Sequence, residues 1–168
     1  MVNITFVDTN DVVIGHGSRE EAIEKGIIHR IARVLIFNSK GEVLIQKRSP
    51  NSPSLPNRWD QSAAGHVDEG EDYATAASRE LKEEVGIDAP LKEKLKFYSE
   101  ETDEPKVKKR FNVLYVGAYD GEVKIDNQEV SDVQWIMPDE LESWMRRSPD
   151  EFTQGFIKCF QEFKKRKS

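Results

Sequence analysis

Three glutamates near the middle of the chain have the spacing of a site for a divalent cation. Glu80, Glu83 and Glu84 lie in the segment Arg-Glu-Leu-Lys-Glu-Glu-Val-Gly-Ile at residues 79–87, and on a helix their spacing brings the carboxylates to one face. Two carboxylates about 5 Å apart repel by roughly 3 kcal/mol at an effective dielectric constant near 20. Mg²⁺ would remove this penalty, because it prefers oxygen ligands and substrate phosphates. The alternative is a solvated acidic helix face, where each like-charge pair costs a few tenths of a kcal/mol.

Four further residues at fixed distances favour a metal site. Gly65 and Glu71 precede the glutamates, Arg79 adjoins them and Gly86 follows them, and a solvated helix face needs none of these. Acidic residues followed by alanines predict the start of the helix near Glu71, and Gly86 predicts its end. We expect one apolar stripe to pack this helix on a sheet: Ala74, Ala77, Leu81 and Val85.

The rest of the chain predicts an α+β domain that positions this helix. We expect strands at residues 2–7, 12–15, 28–37, 43–48, 95–99, 111–119 and 133–136. We expect further helices at residues 18–25, 138–146 and 148–166, with Ser18 and Ser148 as N-caps. Residues 38–41 should turn the third strand into a hairpin with the fourth. The proline-rich residues 49–57 and the acidic residues 100–104 read as loops.

The domain organisation follows from these elements. We expect a single domain over residues 1–168, with an N-terminal hairpin and short helix at 1–27, a core at 28–140 and the C-terminal helix at 148–166.

Composition restricts the class of partner. A net charge of −6 and a pI near 5.2 argue against binding to a nucleic-acid polymer. The single cysteine, Cys159, excludes an internal disulfide, fits a reducing cytoplasm and is expected in the core. Residues 1–5 lack the pattern of a signal peptide, and no apolar run approaches the roughly 18 residues of a membrane span. We expect a cytoplasmic monomer or homodimer that acts on a small molecule away from membranes.

The segment from Gly65 to Ile87 resembles the Nudix box, the signature of hydrolases that cleave a diphosphate linked to another group. This resemblance covers about residues 28–140 and implies the Nudix fold, an α/β/α sandwich around a mixed sheet with the box as a loop–helix–loop. It implies a metal site for Mg²⁺, for which Mn²⁺ can substitute. Water would attack phosphorus at this site, and a carboxylate would take the proton of the water.

The resemblance assigns roles to individual residues of the box. The implied metal ligands are Glu80, Glu83, Glu84 and the carbonyl of Gly65. Arg79 matches the arginine that orients the glutamates. Glu71 is taken as structural support.

The resemblance leaves the general base open, because family members use either a glutamate of the box helix or an acid on a distant loop. Glu80 and Glu83 represent the first possibility. Glu129, six residues before Trp135, represents the second, together with the acids at 100–104. A plain surface role is the alternative for Glu129 and for the residues at 100–104.

Further residues are candidates for binding the substrate. Arg48 and His66 are placed to contact the diphosphate, and Trp59 and Trp135 either stack on a base or cap the core. For Arg48 and His66 a structural or surface role is again the alternative.

A narrower resemblance points to the isopentenyl-diphosphate isomerase branch of the superfamily. It is carried by His29-Arg30 and by residues 59–66 and 129–135. These isomerases move a double bond by proton transfer, with a cysteine, a glutamate and a metal held by histidines and glutamates. His29 and His66 match two of the metal-binding histidines.

The other isomerase residues are missing from this chain. The cysteine position carries Ala64, and the first metal histidine falls at Ala22. Counted without gaps, the two functional glutamates fall at Lys108 and Arg110. We therefore expect an isomerase-like Nudix hydrolase acting on a nucleoside diphosphate derivative. A catalytically silent nucleotide-sensing module is the alternative, and the isomerase itself comes last.

The purified protein should not convert isopentenyl diphosphate to dimethylallyl diphosphate, and Ala64→Cys alone should not create this activity. A thiol without an acidic partner lacks the second group that proton transfer requires. Proton NMR of the product, with an authentic isomerase as the positive control, measures the conversion. Conversion by the wild type above the blank would contradict this expectation.

Overall fold

The computed structural model describes residues 2–166, apart from the side chain of Asp103, so the expectations for residues 1, 167 and 168 lie outside the described residues. The strands are β1 (Ile4–Val7), β2 (Val13–Gly17), β3 (His29–Phe37), β4 (Val43–Arg48), β5 (Trp59–Asp60), β6 (Ala63–His66), β7 (Lys92–Asp103), β8 (Lys106–Ala118) and β9 (Val130–Ile136). The helices are α1 (Arg19–Lys25), α2 (Tyr73–Val85), α3 (Pro138–Arg147) and α4 (Gln154–Lys165). A 3₁₀ turn at Pro149–Glu151 separates α3 from α4.

Strand β3 is the centre of a mixed sheet. One edge of β3 runs parallel to β8 from the pair His29–Arg110 to the pair Phe37–Ala118, and β8 pairs in turn with β7. The other edge pairs antiparallel with β6 and meets β1 and β4 at its two ends. Strand β4 continues the sheet through β9 and β5.

Helices cover both faces of this sheet, because the side chains of β3 alternate between the faces. Ala32, Val34 and Ile36 pack with α2 on one face. Leu35 packs on the other face with apolar residues of α3 and α4, including the buried Cys159. The α/β/α sandwich implied by the Nudix resemblance is confirmed. No helix among residues 2–166 has the length and apolar composition to cross a membrane.

The hairpin expected between β3 and β4 is present only at its turn. The two strands pair at Phe37–Val43 and then separate, and β6 takes the place beside β3. The Ser62 hydroxyl accepts from the backbone N–H of Ile36 at 2.9 Å and donates to the carbonyl of Leu44 at 2.6 Å. The Ser62 side chain thus provides hydrogen-bond partners for the Ile36 N–H and the Leu44 carbonyl where β3 and β4 separate. The strands can therefore diverge at a low cost in free energy.

The prediction of an acidic loop at residues 100–104 is wrong, because residues 100–103 belong to strand β7. Strand β7 continues to Asp103 and pairs with β8, which places Glu100 opposite Lys109 and Glu101 opposite Lys108. Opposite charges across an antiparallel pair favour the extended hairpin over a loop. Strands β7, β8 and β9 all begin before their predicted starts, and β5 and β6 were not predicted.

The last helix begins later than predicted. The Thr153 hydroxyl accepts from the backbone N–H of Phe156 at 3.2 Å, so Thr153 and not Ser148 caps α4. Between them, Phe152 is extended and fully buried, with its ring 4.8 Å from that of Trp144. Burial of this ring requires an extended residue where a continuous helix was expected. In α2, Ala76 is buried where Ala74 was expected in the stripe.

Candidate active site

Arg79 connects the residues of the Nudix-like segment. Its Nε and Nη2 donate to the two carboxylate oxygens of Glu71 at 2.7 and 2.8 Å. Its Nη1 donates to Glu80 at 2.8 Å and to Glu83 at 3.4 Å, and Nη2 also donates to the carbonyl of His66 at 3.2 Å. The fork of the guanidinium thus fixes α2 against the loop that precedes it. The bond from Arg79 lowers the pKa of Glu71.

Glu80 and Glu84 form a pair of carboxylates on α2, of which Glu84 is buried and Glu80 is partly buried. Glu84 is 9% exposed, and its Oε1 accepts from the side chain of Gln46 at 2.7 Å and from the backbone N–H of Ala64 at 3.2 Å. Burial raises the pKa of Glu84 well above its usual range, and the neighbouring charge of Glu80 adds to the rise. Burial also raises the pKa of Glu80, although Arg79 opposes this shift. Two carboxylates held in this way favour either a shared proton or a bound cation.

Gly65 allows strand β6 to approach these carboxylates. A Cβ at this position would overlap the side chain of Glu80, so only glycine fits. The close approach brings the backbone of β6 beside the buried pair, which is the arrangement that a carbonyl ligand from Gly65 needs.

The donor set fits a hard divalent cation, with Glu80 and Glu84 as its preorganised part. The side chain of Glu83 is 53% exposed and contacts Arg79. In the part of the chain that the structure describes, no group of three histidine, cysteine, aspartate or glutamate side chains is already arranged to hold a metal ion.

A cavity of about 390 Å³ adjoins the buried carboxylate of Glu84, whereas Glu80 does not line it. It brings together four residues singled out in the sequence, namely Arg48, Gly65, His66 and Glu129, with Glu84. The other lining residues are Arg19, Ile31, Arg33, Gln46, Asn51, Ser52, Pro53, Ser54, Leu55, Asp60, Gln61, Ala64, Glu101, Lys108, Arg110, Gln128, Thr153 and Gly155.

The two tryptophans considered for base stacking do not line this cavity. Trp59 is buried in the core, with its ring 5.8 Å from that of Trp144. Trp135 packs at the edge of the core between the sheet and α2. Both tryptophans therefore serve the core.

Glu129 and Arg48 lie at the exposed mouth of the cavity. Partial burial raises the pKa of Glu129, the charges of Asp126 and Glu83 raise it further, and Arg48 opposes the shift. A carboxylate with a raised pKa near other acids is suited to accept a proton near neutral pH.

Arg48 also holds the loop at residues 49–57. It donates to the carbonyl of Ser54 and the hydroxyl of Ser52, each at 2.9 Å, and it contacts Asp60 at 3.3 Å. Its assignment as a diphosphate contact stays a prediction.

Three buried polar residues that line the cavity, Arg33, Gln46 and Gln61, were not identified as site residues from the sequence. Gln46 donates to Glu84 at 2.7 Å, and Arg33 donates to Gln61 at 3.1 Å and to Asn112 at 2.8 Å. The available signal was a polar residue inside an apolar strand, as in Ile-Ala-Arg-Val-Leu around Arg33. Such residues are buried only when they are paired or functional.

A family model and a search of known proteins agree on the family. The model of the NUDIX domain matches residues 28–156. A protein named isopentenyl-diphosphate Delta-isomerase 2 from Photorhabdus laumondii is 32% identical over 156 residues, which are 92% of this chain and 88% of that protein. A prenyl-diphosphate phosphatase from Methanosarcina mazei is 28% identical over 167 residues, with 95% of each chain covered.

A solved structure from Deinococcus radiodurans agrees on the fold. It superposes with a TM-score of 0.79 at 20% sequence identity and covers 95% of this chain and 98% of that one.

Replacing Glu84 by glutamine should stabilise the metal-free protein at pH 8. A carboxylate with a raised folded-state pKa binds more protons folded than unfolded, so stability falls as pH rises from the unfolded value through the folded one. We expect Glu84→Gln to raise Tm at pH 8 in EDTA by about 2–4 °C, or about 1 kcal/mol, and to flatten its pH dependence. Scanning calorimetry between pH 5 and 8 measures both effects.

Glu83→Gln is the matched control, because Glu83 is on the same helix and more than half exposed. Its Tm should stay within about 1 °C of the wild type. A lower Tm for Glu84→Gln at pH 8 would mean that the carboxylate stabilises the apo fold.

Proposed function

This chain belongs to the Nudix family of hydrolases, and we propose that it cleaves the diphosphate bond of a nucleoside diphosphate derivative with the help of Mg²⁺. The observation that carries the proposal is the carboxylate pair on α2: Arg79 holds Glu80, and the buried Glu84 lines a cavity with several cationic side chains. We expect the enzyme to act in the cytoplasm on a small molecule, as a monomer or a homodimer.

The metal would be held by Glu80, Glu84 and Glu83, with the carbonyl of Gly65. When bound, Mg²⁺ supplies positive charge to the phosphoryl oxygens and lowers the pKa of a coordinated water. Burial leaves Glu80 and Glu84 with an unfavourable repulsion that a cation relieves. The hydrogen bond from Arg79 would keep Glu80 in place when the cation binds.

Hydrolysis forms a bond between the water oxygen and phosphorus and breaks the bond from that phosphorus to the bridging oxygen. The bridging oxygen leaves with its electron pair, and the proton of the water passes to a carboxylate. Three carboxylates are candidates for this base: Glu80 and Glu83 on the box helix and Glu129 at the mouth. Glu101 is a poor candidate, because its carboxylate is paired with Arg110 and the pKa of Glu101 is lowered.

A second substrate class, isoprenoid diphosphates, is favoured by the cavity lining. His66 supplies the one aromatic ring among the residues that line the cavity within residues 2–166, so a stacking platform for a base is not evident. The relative from Methanosarcina mazei is named for prenyl diphosphates. Incubation with nucleoside di- and triphosphates, sugar nucleotides, dinucleoside polyphosphates and isoprenoid diphosphates, followed by chromatographic detection of the phosphate and phosphate monoester products, separates the two classes.

A catalytically silent nucleotide sensor is the alternative. A sensor has no use for a complete acidic set. In this chain Glu71, Glu80 and Glu83 contact Arg79, and Glu84 completes the set. Binding of a nucleotide without turnover in the presence of Mg²⁺ would favour the sensor.

Turnover should require Mg²⁺ or Mn²⁺, and Glu84→Gln should remove nearly all of it. Loss of a metal-binding carboxylate should cost several kcal/mol in the transition state, or about 10³-fold or more in rate. Initial rates with excess Mg²⁺ and with EDTA measure the requirement. Glu93→Gln, an exposed glutamate on β7, controls for the change in net charge. Wild-type rates in excess EDTA would refute the metal assignment.

If Glu129 activates water, Glu129→Gln should lower kcat by about 10² or more with little change in KM. Its stability should barely change, because Glu129 is exposed. Steady-state kinetics and Tm measure the two quantities, with the exposed Glu122→Gln on the same β8–β9 connection as the control. Unchanged kcat would mean that the general base is a glutamate of the box helix. Parallel losses of kcat and Tm would indicate a structural role for Glu129.

A further inference from the structure

The end of the cavity opposite its mouth is lined by cationic side chains. We define this inner end by Arg19, Arg33, Arg110 and Glu101, and Lys108, Thr153 and Gly155 also line it. Arg33 and Arg110 are 4% and 9% exposed, so the inner end is enclosed by protein. The mouth, in contrast, is lined by exposed residues such as Asn51 and Glu129.

Positive charge exceeds negative charge among the four defining residues. Three guanidinium groups lie there with the carboxylate of Glu101, which is paired with Arg110. The nearby carboxylate of Asp60, which accepts from Thr153, is paired with Arg48. Burial lowers the pKa of Arg110 to about 10, Arg33 and Arg19 lower it further, and Glu101 opposes them. Buried guanidinium groups that repel one another are costly unless an anion joins them.

Two buried nitrogen atoms at this cavity have no hydrogen-bond partner among the residues that the structure describes. They are Nε of Arg19 and Nε2 of His66. Both residues line the cavity. Nε of an arginine is always a donor, and Nε2 of a neutral histidine can carry the ring proton. Buried donors without partners are rare in proteins, and these two could both be satisfied by an anion in the cavity.

The N-terminus of α4 contributes to the same wall. Thr153 and Gly155 line the cavity, so the positive end of this 12-residue helix adjoins the cationic cluster. A Cβ at Gly155 would lie 2.7 Å from Nη2 of Arg33 and 2.8 Å from Oε1 of Glu101. Glycine therefore allows the helix end to contact the ion cluster directly.

Two of the inner cations occupy the positions where the isomerase resemblance places functional glutamates. Arg110 pairs with His29 across β8 and β3. Nε of Arg110 donates to Nε2 of His29 at 3.3 Å, on an imidazole that matches an isomerase metal ligand. Lys108 precedes Arg110 on the same face of β8. The inner end thus has cationic side chains at the positions where the isomerase resemblance implies acids.

We propose that the inner end binds an unsubstituted terminal phosphate of the substrate, while the rest of the diphosphate extends towards Glu80 and Glu84. A terminal phosphate presents three anionic oxygens to guanidinium groups that arrive from different elements. An ester group on that phosphate would have to enter an end closed by buried side chains. This proposal rests on the proposed diphosphate hydrolysis and narrows it to substrates with a free terminal phosphate.

Matched pairs of substrates test the proposal on the wild-type protein. We expect kcat/KM in Mg²⁺ to be at least about 100-fold higher for ADP than for ADP-ribose and for ATP than for diadenosine triphosphate. Geranyl diphosphate and its terminal methyl ester form a third pair, which covers the isoprenoid class. Equal rates for the two members of every hydrolysed pair would overturn the proposal.

Arg19→Met tests whether the inner end produces this preference. For each pair, the ratio of kcat/KM between the substrate with a free terminal phosphate and the one with an esterified terminal phosphate should fall about 10- to 100-fold. The reason is that the hydrogen bond from Arg19 to the charged phosphate is lost. Lys25→Met, on the exposed side of the same helix, should leave the ratio unchanged. If Arg19→Met has the Tm of a folded protein and keeps the wild-type ratio of kcat/KM, the assignment of the terminal phosphate to the inner end would be overturned.

Binding without metal separates this proposal from the proposed function. Inorganic diphosphate, titrated calorimetrically in EDTA, should bind the wild type and bind Arg19→Met at least about 10-fold more weakly. If no substrate pair is hydrolysed in Mg²⁺ but this difference is seen, the proposed hydrolysis fails and the anion subsite stands. Absence of diphosphate binding to the wild type would overturn the subsite.

Discussion

The guanidinium of Arg79 holds together a group of carboxylates that would otherwise repel one another. Its bidentate contact with Glu71 fixes the loop before α2, and its contact with Glu80 fixes the helix. Because β6 must pass beside Glu80, position 65 must be glycine. The same approach of β6 to α2 positions the buried Glu84. The side chain of Gln46 and the backbone N–H of Ala64 donate hydrogen bonds to its carboxylate. The acidic segment is therefore built around one arginine that balances several carboxylates.

The separation of β3 from β4 leaves room for a cavity beside this acidic segment. Ser62 bridges the point where the two strands part, and the cavity extends from Glu84 towards β3 and β8. Charge is distributed unequally along this cavity, with buried carboxylates at the box and guanidinium groups at the inner end. An elongated anion with a metal at one end complements such a distribution better than a neutral ligand does.

Relatives named as isomerases match most of this chain, which lacks the cysteine and the glutamates that the isomerase resemblance implies. His29 remains and is fully buried, and burial lowers its pKa to about 4, so it is neutral and serves as an acceptor for Arg110. Ala64 lines the cavity without a thiol. One scaffold can therefore support different chemistry when a few side chains at the end of the cavity change, and function has to be argued from the site and not from the fold.

The sequence alone determined the features that depend on neighbours one or two helical turns apart. The box helix with its glycine end, the Ser18 cap and the shared face of Glu80 and Glu84 were predictable, because local spacing fixes them. The tertiary structure decided the rest. The cap at Thr153 depends on burial of Phe152, and the extension of β7 depends on its pairing with β8. The contact of Arg110 with His29 depends on the register between β8 and β3, which local spacing does not encode and only the packed sheet sets.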